Sequence, residues 1–427
     1  MCCISVFTVS CRSIEVEWYT ACSDADQYRF TRDICEIAVA DQTPMDLVSE
    51  APPADTQEDN VLDTTVCTSG NCEPIVQIGH GWFHTCALTA SHRLYCWGEN
   101  NFGQLGDGTT ASRTTPQLLT GTAEFVEIAT TSAGVCARTM VGTVSCWGVG
   151  PLGMRGVSTC GSVMCNQRPV EVPNLTGVVM LAGGFGHMCA VLSNRSVMCW
   201  GDNDVGQVGD GTVSPTRELP TTVPGVANVR QMACGAKHSC VLLDNGSVRC
   251  WGGNMAGQTG QASSNLTATP TLVPGINFVE ELALGYSHSC VRRNDRTVAC
   301  WGDNQYGQLG DNTTTSRSTP QMTVPLPAVR QVRAGAFHTC ALLDDNTVQC
   351  WGDNQFGQLG DSTQTPRMTP TVVTSLPAIS ELGGGGTSYT VCAALNPTGL
   401  SCWGLNMNNQ VGDGTNQNRL VPTQVLP

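Results

Sequence analysis

Cys240-Val-Leu-Leu-Asp-Asn-Gly-Ser-Val-Arg-Cys250-Trp251-Gly252 is two short apolar runs around a polar turn. A hairpin with the three-residue loop Asp244-Asn245-Gly246 fits it. That loop type wants a positive φ at its third position, and Gly246 stands there. Gly142 and Asn346 hold the same place in sister copies. In this register Cys240 faces Cys250 at a non-hydrogen-bonded site, where Cα atoms approach to about 4.5 Å. That is the short end of the range a disulfide accepts.

The stretch is one of seven copies. Cys-Trp-Gly recurs at Cys96, Cys146, Cys199, Cys250, Cys300, Cys350 and Cys402, at intervals of 50 to 53 residues. Such a period must be read before any single motif. Each copy has a second cysteine ten residues upstream, giving the pairs Cys86/Cys96, Cys136/Cys146, Cys189/Cys199, Cys240/Cys250, Cys290/Cys300, Cys340/Cys350 and Cys392/Cys402. The register predicts seven cross-strand disulfides, each closing a short loop worth about 2–3 kcal/mol at most. Zinc fits poorly, because ligands of structural zinc sites usually sit two to four residues apart within a pair.

Two further strands complete each unit: a run such as Val229-Arg-Gln-Met-Ala-Cys-Gly235 and, placed before it, a Pro-marked run such as Thr319-Pro-Gln-Met-Thr-Val324. Four short strands per copy, in seven copies, predict an all-β fold, a seven-bladed β-propeller. The first unit enters at Ile75 without a Pro-marked strand, and the chain ends on Arg419-Leu-Val-Pro-Thr-Gln-Val-Leu-Pro427. The C-terminal strand is therefore expected to complete the first blade and close the ring, removing an exposed edge.

Composition agrees with a loop-rich β protein: of 427 residues 47 are Gly and 13% are charged. The formal net charge is −14. Phosphate binding needs clustered Lys and Arg, so nucleic acid is not an expected partner. Cysteines number 24, a usage that suits an oxidising compartment. No run of 18 apolar residues occurs, so no transmembrane helix is predicted.

The expected organisation is a Cys-containing N-terminal segment at 1–40, an acidic, Pro-containing linker at 41–74, and the propeller at 75–427. Met1–Ser10 lacks the positively charged start of a signal peptide. Cys2, Cys3, Cys11, Cys22 and Cys35 form a small knot or stay in part unpaired, and Cys67 and Cys72 close a local loop. No Lys or Arg lies between Asp33 and His92, which reads as a solvated linker.

Gly302-Asp-Asn-Gln-Tyr-Gly-Gln-Leu-Gly-Asp311, preceded by His288-Ser-Cys-Val and Cys300-Trp301, resembles the repeat of the regulator of chromosome condensation family. The pattern returns at Gly98–Asp107, Gly201–Asp210 and Gly352–Asp361, and more loosely at Gly252 and Gly404. The resemblance covers residues 75–427 and implies a seven-bladed propeller. Its paired cysteines depart from the nuclear members and resemble a secreted, mostly bacterial subgroup. The family's best-known activity, nucleotide exchange on a nuclear small GTPase, goes with a basic tail, where this chain has an acidic segment. Similar secreted propellers include a protein inhibitor of β-lactamases, and a plant ultraviolet-B photoreceptor of this fold uses clustered tryptophans. Here one tryptophan per blade reads as packing between blades.

Five histidines, His84, His187, His238, His288 and His338, share one repeat position. They read as repeated structural hydrogen bonds, since Gly134 and Thr390 interrupt any metal ring. Asp107, Asp210, Asp311, Asp361 and Asp413 are each followed by Arg113, Arg217, Arg317, Arg367 and Arg419, which suggests a repeated ion pair. Calcium is the alternative, but no Asp-x-Asp-x-Asp run supplies the oxygens. No phosphate loop, Gly-x-Ser-x-Gly or His-Glu-x-x-His occurs, and neither a cofactor nor a metal is expected. Cys234 has no repeat partner and is expected to be buried.

The second repeat is irregular. Pro151-Leu-Gly-Met-Arg-Gly156 replaces Gly-Gln-Leu-Gly-Asp, and an insertion with Cys160 and Cys165, an expected disulfide, follows. Met154, Arg155, Val157 and Met164 are its candidate partner-binding residues. The reading is a monomeric, non-enzymatic binding scaffold, extracellular, surface-displayed or periplasmic, whose loops engage a protein or glycan. Regulation of a small GTPase and a polysaccharide-active enzyme are the alternatives.

Overall fold

The computed structural model of the protein describes residues 67–68, 71–150, 158–160, 163–262 and 265–426. The expectations for 1–66, with Cys2, Cys3, Cys11, Cys22 and Cys35, lie outside the described residues. A two-residue strand pair, Cys67–Thr68 with Asn71–Cys72, precedes seven antiparallel sheets, six of four strands and one of five. The fold is a seven-bladed β-propeller with no helix among the described residues.

The fourth blade shows the plan. Its strands run outward from the axis as Val229–Cys234, His238–Leu243, Val248–Gly253 and Leu266–Leu272. Cys240 pairs with Cys250 and Leu242 with Val248. The Gly246 N–H donates to the Leu243 carbonyl at 2.9 Å, with φ +77° at Gly246, so Asp244-Asn245-Gly246 is the loop. Disulfides join all seven repeat pairs, each with Cα atoms 4.1 Å apart. Cys160–Cys165 adds another at 5.9 Å.

The second strand of each blade is apolar on both faces because each sheet is covered on both sides. Val241 packs in the cluster shared with the third blade, whereas Cys240 and Leu242 pack in the cluster shared with the fifth. The seven repeat tryptophans are fully buried. Each sits with residues of the blade before it, as Trp301 does with Cys240, Leu242 and Val248. Truncating such a side chain to Ala costs about 3–5 kcal/mol.

Two expectations about strand order are corrected. The Pro-marked strand follows the Cys-Trp-Gly strand within a blade: Arg317–Met322 pairs with Val298–Gly302, with Arg317 opposite Gly302. The C-terminal strand Arg419–Leu426 is accordingly outermost in the seventh sheet, and the first sheet has four strands of its own ending in Arg113–Leu118. The reason is local. The Gly-Gln-x-Gly-Asp loop folds the chain straight back along the strand it has just left, so each repeat is in phase with its sheet. The seventh and first blades instead meet through packing of Cys392, Ala394, Leu400, Cys402, Val411 and Leu426 against Ile75, Ile78, Tyr95 and Trp97.

The same loop clasps neighbouring blades. The Gln308 carbonyl accepts from Trp351 Nε1 at 3.0 Å and from Thr339 Oγ1 at 2.9 Å, both on the next blade. Trp97, Trp147, Trp251, Trp301 and Trp403 donate likewise to the carbonyls of Gln410, Gln104, Gln207, Gln258 and Gln358. A Cβ at Gly310 would stand 2.7 Å from Trp351 Nε1, which is why glycine holds that place. Trp200 Nε1 is buried without an acceptor among the described residues. The loop that would serve it is residues 151–157, where Gly-Gln-Leu-Gly is missing.

Candidate partner-binding face

The innermost strands line an axial cavity of about 260 Å³. Their side chains stitch it shut laterally. Gln77 donates to the Ile128 carbonyl and accepts the Ile128 N–H, both at 2.8 Å, mimicking a strand partner across the blade gap. Gln231 does the same to Leu282 at 3.3 and 2.9 Å. Arg333 bridges Glu281 at 2.5 Å and Glu381 at 3.0 Å, so the one cation that faces this cavity among the described residues is already neutralised.

Antiparallel order places the loops from first to second strand and from third to fourth strand on one face. The first set carries aromatic rings toward the axis. Trp82 meets Phe185 edge-on at 4.7 Å and lies 6.2 Å from Tyr286 and 6.4 Å from Tyr389. Phe337 lies 5.3 Å from Tyr286 and 5.9 Å from Tyr389. Tyr306 and Phe356, from the second set, join at 5.7 Å from Phe337 and 5.4 Å from Tyr389. All seven rings are half-buried, unlike the repeat tryptophans.

Carboxylates stand among these rings, at the residue after Cys-Trp-Gly: Glu99, Asp202, Asp303 and Asp353. Backbone bonds tie them to the aromatic loops, Glu99 N–H to the Phe83 carbonyl at 2.8 Å and Asp353 N–H to that of Phe337 at 2.9 Å. Gln308 and Gln358 donate to Asp303 and Asp353 at 2.8 and 2.9 Å. Leu405 stands at this place in the seventh blade, and the buried Gln410 Nε2 is left without a partner among the described residues. Burial raises the pKa of Glu99, Asp303 and Asp353 against these hydrogen bonds. Burial, then the neighbouring Asp204 charge, raises Asp202 to about 6, with Lys237 opposing.

The sequence-derived candidates fall as follows. Met154, Arg155 and Val157 lie outside the described residues. Met164 is exposed, at the start of the outer strand Val163–Glu171, and the insertion belongs to a third-to-fourth-strand loop, hence to the aromatic face. The aromatic rings were not among the sequence-derived candidates, although their places recur: Trp82, Phe185 and Tyr286 stand four residues before the first cysteine of their repeats, Phe337 and Tyr389 three before, and Tyr306 and Phe356 six after the second cysteine.

The Asp and Arg series is a set of ion pairs, such as Asp107–Arg113 at 2.6 Å and Asp361–Arg367 at 2.7 Å. Burial alone would raise these aspartates, but bonds from Thr hydroxyls and the arginines hold them below the usual carboxylate range. The histidines bridge blades: His187, His238 and His288 meet Ser239, Ser289 and Thr339 at 2.8, 2.9 and 3.0 Å. His84 faces a blade with Val135 at that place, and both its ring nitrogens lack a partner among the described residues. Burial lowers these imidazoles to about 3 or 4. His187, Cys189 and Cys234 converge within 4.8 Å, but Cys189 is held in a disulfide and supplies no thiolate. No helix of the described residues is long and apolar enough to cross a membrane.

Comparison with known proteins agrees with this architecture. The RCC1-like domain pattern matches residues 150–427, and the regulator of chromosome condensation (RCC1) repeat matches 75–104 and 91–137. The human E3 ubiquitin-protein ligase HERC2 is 32% identical over 199 residues, 45% of this chain but 4% of that protein. The human probable E3 ubiquitin-protein ligase HERC4 is 28% identical over 204 residues, covering 18% of its length. A chain in the crystal structure of Kap60 bound to yeast RCC1 (Prp20) superposes with a TM-score of 0.70 at 21% identity, covering 91% of each. Human WBSCR16 gives 0.69 at 22%, covering 78% of this chain and 93% of that one. With its repeats, its clasping loops and a match across most of its length, the chain belongs to the RCC1-like domain family.

Proposed function

We propose that this chain is a non-enzymatic, protein-binding propeller whose partner docks on the aromatic face. The observation that carries the reading is the half-buried ring cluster of Trp82, Phe185, Tyr286, Phe337 and Tyr389, drawn from five blades across the axis. Aromatic groups kept partly in solvent on a rigid scaffold are the usual anchors of protein interfaces. Met255 and Met407, exposed on third-to-fourth-strand loops of the same face, and Met164, exposed at the start of the strand that follows such a loop, extend it. Paired repeat cysteines support an oxidising compartment for the protein.

The test is affinity capture with the wild-type protein, with Trp82→Ala/Phe337→Ala, and with Met140→Asp/Val141→Asp on the opposite face. A partner retained by the wild type and the opposite-face variant, and lost by the aromatic variant, is the expected result. Retention by all three overturns the reading. Regulation of a small GTPase, the alternative that family membership brings, predicts accelerated release of labelled GDP from a GTPase.

A further inference from the structure

Between the fifth, sixth and seventh blades the aromatic face holds negative charge without a counter-charge among the described residues. The Asp303 N–H donates to the Ser287 carbonyl, next to Tyr286, at 2.8 Å, and the Asp353 N–H to the Phe337 carbonyl at 2.9 Å. The Gln308 amide that donates to Asp303 also accepts the Tyr306 N–H at 3.0 Å, and both carboxylates raise the Tyr306 phenol, after burial. Neither carboxylate has an ion pair among the described residues, whereas Asp311 and Asp361, eight residues further along each loop, are paired with Arg317 and Arg367 at 3.2 and 2.7 Å. Their donors among the described residues are neutral: the Gln308 and Gln358 amides, the backbone N–H groups of Gln305 and Gln355, and the Ser316 hydroxyl, which donates to Asp303 at 3.4 Å. Phe337 stands at the centre of the neighbouring rings, 5.3 Å from Tyr286, 5.7 Å from Tyr306 and 5.9 Å from Tyr389.

We propose that this quadrant receives arginine side chains of a basic peptide segment on a protein partner, the guanidinium stacking on Phe337 and Tyr306 and donating to the half-buried Asp303, with the buried Asp353 adding its charge. Three features of the site select that chemistry. An aromatic face attracts a cation through its quadrupole, more strongly where water is partly excluded. A planar guanidinium stacks on a ring and still offers a fork of donors to a carboxylate, which an ammonium does not. The carboxylates are pre-oriented by glutamine amides, so binding does not have to order them. The inference rests on the aromatic face being the docking surface and names the chemistry of what docks there.

The test uses the full chain and a short fluorescein-labelled peptide of alternating arginine and glycine, followed by anisotropy at about 0.15 M ionic strength. Saturable binding is expected, weakened roughly tenfold or more by Asp303→Asn/Asp353→Asn and by Tyr306→Ala. Asp244→Asn/Asp295→Asn removes the same charge from the opposite face and should leave affinity within about twofold. A matched peptide with citrulline in place of arginine should not bind. Phe337→Ala is read only alongside a native melting transition, and Tyr306→Ala stands in if it unfolds. The proposal is overturned if the wild type does not bind the arginine peptide, or if the opposite-face control loses as much affinity as the quadrant variant. A captured partner lost with Trp82→Ala/Phe337→Ala, together with no arginine-peptide binding, removes this inference and leaves the docking face standing.

Discussion

The buried tryptophans offer a controlled measurement inside one molecule. Trp351 and Trp200 hold the same repeat position, and both are fully buried. Trp351 Nε1 donates to the Gln308 carbonyl at 3.0 Å, whereas Trp200 Nε1 has no acceptor among the described residues. Substituting either by Phe removes the same volume, so the packing loss largely cancels in the comparison. Trp351→Phe also loses a hydrogen bond worth about 0.5–1.5 kcal/mol net; the carbonyl keeps its bond from Thr339. Trp200→Phe instead deletes a buried donor that has no acceptor among the described residues, whose desolvation costs about 1–3 kcal/mol. Trp200→Phe is therefore expected to be less destabilising than Trp351→Phe by about 2 kcal/mol or more. Trp147→Phe should be the worst of the three, because the Gln104 carbonyl has no second donor from Val135 where Thr339 serves Gln308. Urea unfolding under non-reducing conditions, followed by far-UV circular dichroism, reads all three. Equal losses for the three variants would refute the reasoning and place an acceptor on Trp200.

Gly310→Ala should destabilise strongly, by about 3 kcal/mol, combining a left-handed backbone with a clash on Trp351. Gly121→Ala, with similar φ and nothing within 4 Å, should lose only about 1 kcal/mol by the same assay. The buried histidines have folded pKa values below their unfolded value, so the unfolded chain binds protons first and stability falls as pH drops from 6.5 toward 4. A melting series for His288→Gln should show a shallower acid limb than the wild type. Asp202 has the opposite sign: raised to about 6, it withdraws stability as pH rises from 3.8 through 6. Asp202→Asn should thus raise the melting temperature at pH 8 and leave it unchanged at pH 3.5. The Cys234 thiol, buried and pushed up to about 12, should resist alkylation in the native protein and react in urea, read by peptide mass spectrometry.

Much of the architecture was legible in the repeat because its determinants are local. Asp244-Asn245-Gly246 chooses the turn, the turn sets the register, and the register sets Cys240 opposite Cys250. Periodicity then counts the blades. Strand order was less legible, since Arg317–Met322 has sequence neighbours on both sides, and only the backward fold of its loop decides which it joins. The histidine and tryptophan roles were half legible. A repeated position announces a structural part, but its partner belongs to the next blade, about 50 residues away, as Thr339 does for His288.

The candidate site was almost illegible, for a physical reason. Trp82, Phe185, Tyr286, Phe337 and Tyr389 stand three or four residues before the first cysteine of separate repeats, about 50 or more residues from one another, and come together only because the ring closes around an axis. The chain by itself determined turn, register, cross-links and blade number, all of which depend on residues a few positions apart. Closure in three dimensions decided which unlike residues face one another across the axis, and with them the placing of Asp303 and Asp353, without an ion pair among the described residues, beside half-buried aromatic rings.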